Sequence, residues 1–380
     1  MEYIFYILIV LILLIYFIYP FVLWILSLFS KPTRTVLKPD AVFRVTLIIT
    51  ARNEEKVIEQ KLRNSLAIQY PKLFFDILLV SDHSTDRTVE IARSFSDSRI
   101  NILNLEKRHG KTDAQNIAAK YAKGEILVFS DANAMYESEA IQHLIKHFHD
   151  QTVGCVSGEL CYLNQDVSEA GKKEGLYWKY EKWIKNLENE AGLILGANGS
   201  IYAVRKSDYV FLDLKDISDF IEPLEIAARG KKVVFETNAK SYETSSDHFK
   251  QEFKRKRRII SRSLYSMFKH RWILNIFKRP LITFELMFHK ILRWISPIFI
   301  FCIFIVNGFL LNSLIFCIFF IGQSLFYMFA LIGLLFQNRK YLPAIFSIPA
   351  YVVMVGYASI LGFLDFLRKK HAVVWEPDRA

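Results

Sequence analysis

Hydrophobic residues are concentrated at the two ends of this 380-residue chain. No charged side chain occurs from Tyr3 to Leu28, and charge is almost absent again from Trp294 to Leu367. About 20 apolar residues suffice to cross a bilayer. The pattern therefore predicts a transmembrane anchor over residues 1–30 and about three transmembrane helices over residues 294–367.

The rest of the chain divides into three parts. Residues 31–248 have the composition of a soluble domain and are numerous enough to bury a full core. Residues 249–293 are basic and aromatic, which suits the headgroup region and predicts amphipathic interfacial helices. Residues 368–380 form a short tail.

Positive charge follows the first hydrophobic segment directly, at Lys31, Arg34 and Lys38. The segment is too long for a signal peptide, and no small-residue cleavage site follows it. The positive-inside rule then predicts an uncleaved anchor and a cytosolic middle domain, in a multi-pass membrane protein. Four spans would place the tail outside, whereas its basic start favours the cytosol, so the sequence leaves that side open.

Short apolar strands alternate with amphipathic helical stretches in the first half of the middle domain. The strands are predicted at Val45–Thr50, Asp76–Ser81, Ile100–Leu105 and Glu125–Ser130. This alternation predicts an α/β fold, with an open, mostly parallel sheet flanked by helices. Ligands of such sheets bind beyond the carboxyl ends of the strands.

Polar residues follow three of these strands and form the candidate site. They are Ala51-Arg52-Asn53-Glu54, Ser81-Asp82-His83-Ser84-Thr85-Asp86 and Asp131-Ala132-Asn133. Asn, Asp and Ser also serve as turn residues and helix N-caps, and Ser84 and Asp86 are expected to be caps. Three acid-bearing turns at one edge of a sheet nevertheless indicate a binding site.

The formal net charge is +11, and the sequence pI is about 9.3. Such a balance fits either nucleic-acid binding or contact with anionic lipid. No nucleic-acid-binding motif accompanies the charge, and Lys and Arg gather near the hydrophobic segments. The lipid bilayer is therefore an expected partner and nucleic acid is not. The four cysteines lack zinc-finger spacing and are expected to be reduced thiols.

Seven short motifs occur in order along the chain. They are Ile48–Glu54 (IITARNE), Val80–Thr88 (VSDHSTDRT), Gly110–Asn116 (GKTDAQN), Phe129–Asn133 (FSDAN), Gly196–Gly199 (GANG), Ser218–Phe220 (SDF) and Arg255–Arg258 (RKRR). Together they resemble the family-2 glycosyltransferases, the group that includes cellulose, chitin and hyaluronan synthases, over nearly the whole chain. The resemblance implies a GT-A fold and sugar transfer from a nucleotide-diphosphate donor, expected to be a UDP-sugar.

The resemblance also implies roles for individual residues. Nucleotide-sugar binding is implied for Ala51, Arg52, Glu54, Asp82, Lys111, Asp131, Arg255 and Arg258. Asp131 and Asn133 match the metal-binding DxD motif and would hold Mg²⁺ or Mn²⁺, although an amide is a poorer ligand than a carboxylate. Asp219 corresponds to the catalytic base that takes the proton of the acceptor hydroxyl, and helix capping is its alternative role.

Two departures limit what the motifs imply. Gly110-Lys111-Thr112 is not a P-loop, because Leu105 stands where the first glycine belongs. Processive relatives carry a Gln-x-x-Arg-Trp motif where this chain has Arg255 and Ile259, so processive synthesis cannot be carried over, although Arg258 can still clamp phosphate.

The sequence therefore predicts an inverting, membrane-bound glycosyltransferase with a polysaccharide or lipid acceptor. One alternative is a single-addition lipid glycosyltransferase. Another is a non-enzymatic polytopic scaffold or transport subunit with a degenerate transferase domain. An accessory membrane subunit stays open as a partner.

Overall fold

The structure is a computed structural model, and it describes residues 1–30, 42–163, 169–193, 196–244, 249–337, 339 and 342–369. Side chains of residues 169–178 are not described. The three basic residues that follow the first hydrophobic segment lie outside the described residues, as does the tail from residue 370 onward.

The chain forms two compact units. One comprises residues 1–30, 164–191 and 245–371, and is called the membrane unit below. The other comprises residues 31–163, 192–244 and 372–380, and is called the sheet unit. The predicted middle domain of residues 31–248 differs from the sheet unit mainly by residues 164–191, which group with the apolar helices.

The sheet unit contains one mixed sheet of eight strands. The strands are β1 (Val45–Ala51), β2 (Phe75–Ser81), β3 (Ile100–Asn104), β4 (Ile126–Asp131), β5 (Met135–Tyr136), β6 (Val153–Tyr162), β7 (Ile201–Arg205) and β8 (Lys232–Glu243). Their order is β3-β2-β1-β4-β7-β6-β8-β5. The pairs β1–β2, β1–β4, β2–β3 and β6–β8 are parallel, and the other three pairs are antiparallel. The predicted open, mostly parallel sheet is confirmed.

Helices cover both faces of this sheet. They are α2 (Ile58–Leu66), α3 (Thr88–Arg93), α4 (Lys111–Tyr121), α5 (Ala140–Ile145) and α7 (Ser218–Ala228). Alternate residues of β1 enter two separate cores: Leu47 packs with the α2 residue Leu62, and Ile48 packs with the α4 residue Ala118. A strand buried on both faces is mainly apolar, which is why β1 lacks an alternating polar pattern.

The membrane unit is helical in its described residues. Its helices are α1 (Glu2–Phe29), α6 (Glu169–Glu190), α8 (Phe249–Lys269), α9 (Pro280–Gly308), α10 (Leu314–Leu335) and α11 (Ala344–Leu367). Within the described residues, α1, α9, α10 and α11 are long and apolar enough to cross a membrane. The first C-terminal candidate span thus begins at Pro280 and not at the predicted Trp294, because a π-helical segment continues α9 through Leu286–Ile291.

The early part of α9 carries polar side chains that are paired inside the membrane unit. The Tyr19 hydroxyl of α1 donates a hydrogen bond of 2.7 Å to Glu188 of α6. His289 contacts both Glu188 and Glu181, and Arg293 forms an ion pair with Glu181. Buried charged groups are tolerated when they are paired, so this network lets α9 continue through a stretch of mixed polarity.

Small residues allow close helix packing in the membrane unit. A Cβ added at Gly333 of α10 would lie 2.2 Å from the Phe346 carbonyl oxygen and 2.7 Å from the Ala350 Cβ of α11. At Gly322, also in α10, an added Cβ would meet no described atom within 4 Å. Apolar spans in lipid associate through such close approaches and not through a hydrophobic driving force.

This contrast predicts different effects of the same substitution. We expect Gly333→Ala to destabilise the membrane unit by about 1–3 kcal/mol, because the neighbouring backbone must move. Gly322→Ala should leave stability unchanged or slightly raise it, since alanine is the better helix former. Thermal unfolding of both full-length variants in the same detergent tests this, and equal melting temperatures would contradict the packing.

Candidate active site

The turn after β1 is tied to the turn after β2 by hydrogen bonds from a side chain to backbone carbonyl groups. Ala51 is the last residue of β1, and Arg52 follows it directly. The Arg52 guanidinium donates hydrogen bonds of 2.8 Å to the carbonyl oxygens of Asp82 and His83. The two predicted nucleotide-binding turns therefore lie side by side, as the parallel pairing of β1 with β2 requires.

The rest of the first turn is fixed in the same way. Asn53 has a positive φ of 52° and accepts a 2.8 Å hydrogen bond from the Thr85 N–H. Glu54 is buried, and its N–H donates to the Thr88 hydroxyl at 2.8 Å. Asp86 accepts a 3.1 Å hydrogen bond from the Thr88 N–H at the start of α3, but the N-cap of that helix is Arg87 and not the predicted Asp86.

The Ser84 hydroxyl accepts a hydrogen bond from the Asn53 N–H at 3.2 Å. Ser84 therefore links the two turns and does not cap α3.

Asp82 organises the start of α4. Its carboxylate accepts hydrogen bonds from the backbone N–H groups of His109 at 2.6 Å and Gly110 at 2.9 Å. Gly110 has a φ of 88°, a conformation that strains other residues, and α4 begins at Lys111. Asp82 thus fixes the backbone from which the Lys111 side chain extends. Its predicted contact with the base or ribose stays a prediction.

Lys111 forms an ion pair with Asp131 at the end of β4. Its Nζ lies 2.5 Å from Asp131 Oδ1 and 3.4 Å from the Gly199 carbonyl oxygen. Burial acts to lower the pKa of Lys111, but the charges of Asp131 and Asp219 outweigh it and hold the pKa above its ordinary value. The ammonium therefore stays charged among acidic side chains at this edge of the sheet.

Asp219 approaches the same place from α7. An added Cβ at Gly199 would lie 2.4 Å from Asp219 Oδ2 and 3.3 Å from Lys111 Nζ. The Ala197 N–H donates a 2.8 Å hydrogen bond to the Asp219 carbonyl oxygen, which fixes the loop before β7 against the start of α7. Ile217, and not Asp219, is the N-cap of that helix, so the Asp219 carboxylate is not used as a cap.

The predicted metal ligands lie just beyond β4. Asp131 is the last residue of the strand, with a side chain 34% exposed, and the half-buried Asn133 follows two residues later. Glu243, the last residue of β8, was missed by the sequence analysis. Its charge acts on Lys111, Lys61 and Tyr136, which places a further carboxylate near this edge. No local motif marks it, because only the strand order brings β8 to this edge.

Glu222 lies one turn after Asp219, in a different environment. It is 1% exposed, and the Tyr202 hydroxyl donates to its Oε2 at 3.3 Å. Burial raises the pKa of Glu222 to about 8, while a backbone N–H at Val210 and the Tyr202 hydroxyl act in the opposite direction. Glu222 is therefore a neutral core acid near neutral pH and is not exposed to an acceptor.

The remaining predicted site residues lie in the membrane unit. Arg255 and Arg258 are both half-buried on α8. The Arg255 Nε donates a 2.7 Å hydrogen bond to Glu252 of the same helix. The neighbouring Arg257 forms a bidentate pair with Asp365 of α11, at 2.5 and 2.8 Å, and so holds α8 against a candidate membrane span. The structure thus brings together Lys111, Asp131 and Asp219, with the two Arg side chains in the other unit.

Residues 46–210 match the family model described as glycosyl transferase family 2. This part of the chain is therefore similar to that family. The matched range includes the turns after β1, β2 and β4, and it ends before Asp219.

Curated relatives extend the comparison. The chain is 27% identical over 217 residues to a poly-beta-1,6-N-acetyl-D-glucosamine synthase of Staphylococcus aureus (strain COL), covering 55% of this chain and 51% of the relative. It is 25% identical over 166 residues to a beta-monoglucosyldiacylglycerol synthase of Nostoc sp. (strain PCC 7120), covering 43% of this chain and 36% of the relative. The chain thus matches about half or less of the length of these relatives.

A solved structure agrees in fold over the full length. It is the mannosyltransferase PcManGT from Pyrobaculum calidifontis, in complex with GDP-Man and Mn²⁺. The TM-score is 0.68 at 20% sequence identity, and the alignment covers 97% of this chain and 99% of that chain. The expected GT-A type of fold with added membrane helices is confirmed.

The buried Glu222 predicts a pH dependence of stability. Its pKa is about 8 in the folded chain against an ordinary 4.5, so between these values the folded state holds a proton that the unfolded state releases. The stabilising contribution of that proton is complete below pH 4.5 and is lost as the pH rises towards 8. Glu222→Gln imitates the protonated acid. Its free energy of unfolding should therefore rise relative to that of the unsubstituted protein by a few kcal/mol between pH 5 and pH 8.

Thermal unfolding at several pH values measures this gain. Glu90→Gln is the matched control, because the Glu90 side chain is 68% exposed and pairs with Arg87 on the surface. A difference between Glu222→Gln and the unsubstituted protein that does not change with pH would contradict a neutral Glu222.

Proposed function

We propose that the protein transfers a sugar from a nucleoside-diphosphate sugar, expected to be a UDP-sugar, to a hydroxyl of a polysaccharide or lipid acceptor. The observation that carries the proposal is the meeting of three side chains at one point of the sheet edge. Lys111 Nζ and Asp219 Oδ2 both lie within 3.3 Å of the position of a Cβ on Gly199, and Lys111 also holds Asp131.

The donor would bind along the turns after β1 and β2. Ala51, Arg52 and Glu54 would line the nucleotide, with Asp82 at the base or ribose. These turns are already held by hydrogen bonds between backbone and side chains, so they would lose little conformational freedom when the donor binds. The Lys111 ammonium would attract the diphosphate and stabilise its charge as it leaves. Arg255 and Arg258 keep their predicted role in phosphate binding, which their guanidinium groups suit.

The residues beyond β4 fit a divalent cation. Asp131 and Asn133 offer the hard oxygen donors that Mg²⁺ and Mn²⁺ prefer, and Asp131 already attracts one cationic group, the Lys111 ammonium, to 2.5 Å. When bound there, the ion would neutralise diphosphate charge. Asp131 and Asn133 would hold it, and Lys111 would shift from Asp131 towards the phosphate oxygens.

Asp219 would act as the general base. Asp219 is half-buried, and its carboxylate occupies the space that the absent side chain of Gly199 leaves, beside the Lys111 ammonium. Asp219 would remove the proton of that hydroxyl while the oxygen attacks the anomeric carbon from the side opposite the leaving diphosphate. Such an in-line attack inverts the configuration at the anomeric carbon.

The membrane unit would hold the protein in the bilayer. The proposed arrangement has residues 1–30 as an anchor, residues 31–248 as a cytosolic catalytic domain, residues 249–293 at the interface, and spans to residue 367 in the inner membrane. Relatives of the two curated classes name a polysaccharide and a glycolipid as products. The chain therefore has relatives that suit repeated and single sugar addition, and an accessory membrane subunit stays open as a partner.

Asp219→Asn tests the proposed base. We expect transfer to fall by about 10²–10⁴-fold, the usual contribution of general base catalysis, while binding of UDP with Mn²⁺ stays nearly unchanged. Glu222→Gln is the matched control, because it changes the neighbouring acid of α7 without touching the open edge, and it should keep transfer. The measurement uses full-length protein in membranes with a panel of radiolabelled UDP-sugars and GDP-mannose.

Full transfer by Asp219→Asn would remove the base assignment. No transfer from any donor by the unsubstituted protein, with no Mn²⁺-dependent nucleotide binding, would favour the scaffold alternative.

Chelation of divalent ions should abolish transfer, and added Mn²⁺ or Mg²⁺ should restore it. The size of the product separates the acceptors, since a ladder indicates polymerisation and a single shifted band indicates one addition to a lipid.

A further inference from the structure

A fully buried lysine lies behind the loop that carries Asp131. Lys61 of α2 has no exposed surface, and its Nζ donates a 2.5 Å hydrogen bond to the Ala134 carbonyl oxygen. The same Nζ lies 4.0 Å from the centre of the Tyr136 ring. Burial lowers the pKa of Lys61 to about 7, while the charges of Asp131 and Glu243 act to raise it. A buried ammonium is costly, and an apolar residue would fill a core position at lower cost.

Asn64 contacts the same loop one helical turn further along α2. Its Nδ2 donates a 2.9 Å hydrogen bond to the Tyr136 carbonyl oxygen, and its Oδ1 accepts a 2.8 Å hydrogen bond from the Tyr136 N–H. Residues three apart face the same side of a helix. Lys61 and Asn64 therefore present three hydrogen bonds to the backbone of residues 134–136 from one face of α2.

Tyr136 carries the connection into the sheet. Its hydroxyl lies 3.2 Å from the Phe129 carbonyl oxygen of β4 and 3.0 Å from the Ser200 carbonyl oxygen beside β7. Phe129 precedes Asp131 by two residues, and Ser200 follows Gly199 directly. Asn64 of α2 binds the Tyr136 backbone, and the Tyr136 side chain contacts both segments that form the candidate active site.

We propose that Lys61 and Asn64 are positioning residues, which hold residues 131–136 in the geometry that binds the divalent cation and the donor diphosphate. The effect on cation and diphosphate binding rests on the proposed function, whereas the positioning of the loop rests on contacts within the sheet unit. Lys61 fixes the loop at Ala134, and Asn64 fixes it at Tyr136. Asp131 and Asn133 lie just before these two anchor points, so their oxygens are held by the same backbone.

Lys61 has two alternative roles, one purely electrostatic and one purely structural. The change in cation affinity on substitution separates both from the positioning role. A positive charge near Asp131 repels a divalent cation, so removal of the charge alone would tighten cation binding. Loss of the anchor would instead loosen the loop and weaken cation binding. A structural role without positioning would change the melting temperature and leave cation affinity unchanged.

Lys61→Met in the full-length protein tests the proposal, because methionine nearly conserves the volume and removes the ammonium. We expect half-saturation with Mn²⁺, measured in the presence of UDP, to require about tenfold more ion, which corresponds to about 1.4 kcal/mol. Hydrogen exchange in a peptide covering residues 131–136, measured without ligand, should accelerate. Asn64→Ala should produce both effects, and it serves if Lys61→Met does not fold.

Arg63→Met is the matched control. Arg63 lies between the two residues on α2, its side chain is 69% exposed, and it pairs with Glu59 on the surface. The Arg63→Met substitution removes the same charge from the same helix and should change neither hydrogen exchange in residues 131–136 nor Mn²⁺ affinity.

Unchanged exchange in both Lys61→Met and Asn64→Ala would overturn the positioning role. Accelerated exchange with unchanged or tighter Mn²⁺ affinity would overturn its link to the cation site. If the unsubstituted protein binds no Mn²⁺ with UDP, the proposed function fails, whereas the exchange measurement still decides whether α2 positions the loop.

Discussion

The ion pair between Lys111 and Asp131 is the contact around which the sheet edge is arranged. Lys111 begins α4 because Asp82 binds the backbone of the preceding turn, and Asp131 ends β4 in register with β1. Two elements separated in sequence therefore place opposite charges within hydrogen-bonding distance. Asp219 and Glu243 add negative charge near the same ammonium, and carboxylates grouped in this way attract cations.

Local sequence patterns predicted the fold well where strands are buried on both faces. The strands β1, β2 and β4 are mainly apolar runs followed by polar turn residues, so the hydrophobic pattern and the turn residues indicate the same strand ends. The motifs also pointed to Lys111, Asp131 and Asp219, which the fold brings together. These predictions depend on contacts within a few residues, which a sequence displays directly.

The features that were missed depend on contacts between distant segments. Lys61 looks like an ordinary charged helix residue, and only the packing of α2 under the β4–β5 connection buries it. Glu243 reaches the sheet edge because β8 pairs with β6 and not with a sequence neighbour. Residues 164–191 read as part of the middle domain, yet Glu181 and Glu188 of α6 pair with α1 and α9. No local pattern reports such partners.

Both units contain buried charged side chains, but these differ in how far their charge is compensated. In the membrane unit, paired buried charges let α6 and α9 carry polar side chains among apolar helices. In the sheet unit, Lys61 is buried with one hydrogen bond and the face of an aromatic ring, so its charge is only partly compensated. A fully compensated network stabilises a fixed arrangement, whereas a partly compensated ammonium still acts on its surroundings. That residual field falls on Asp131, the acid that a divalent cation would require.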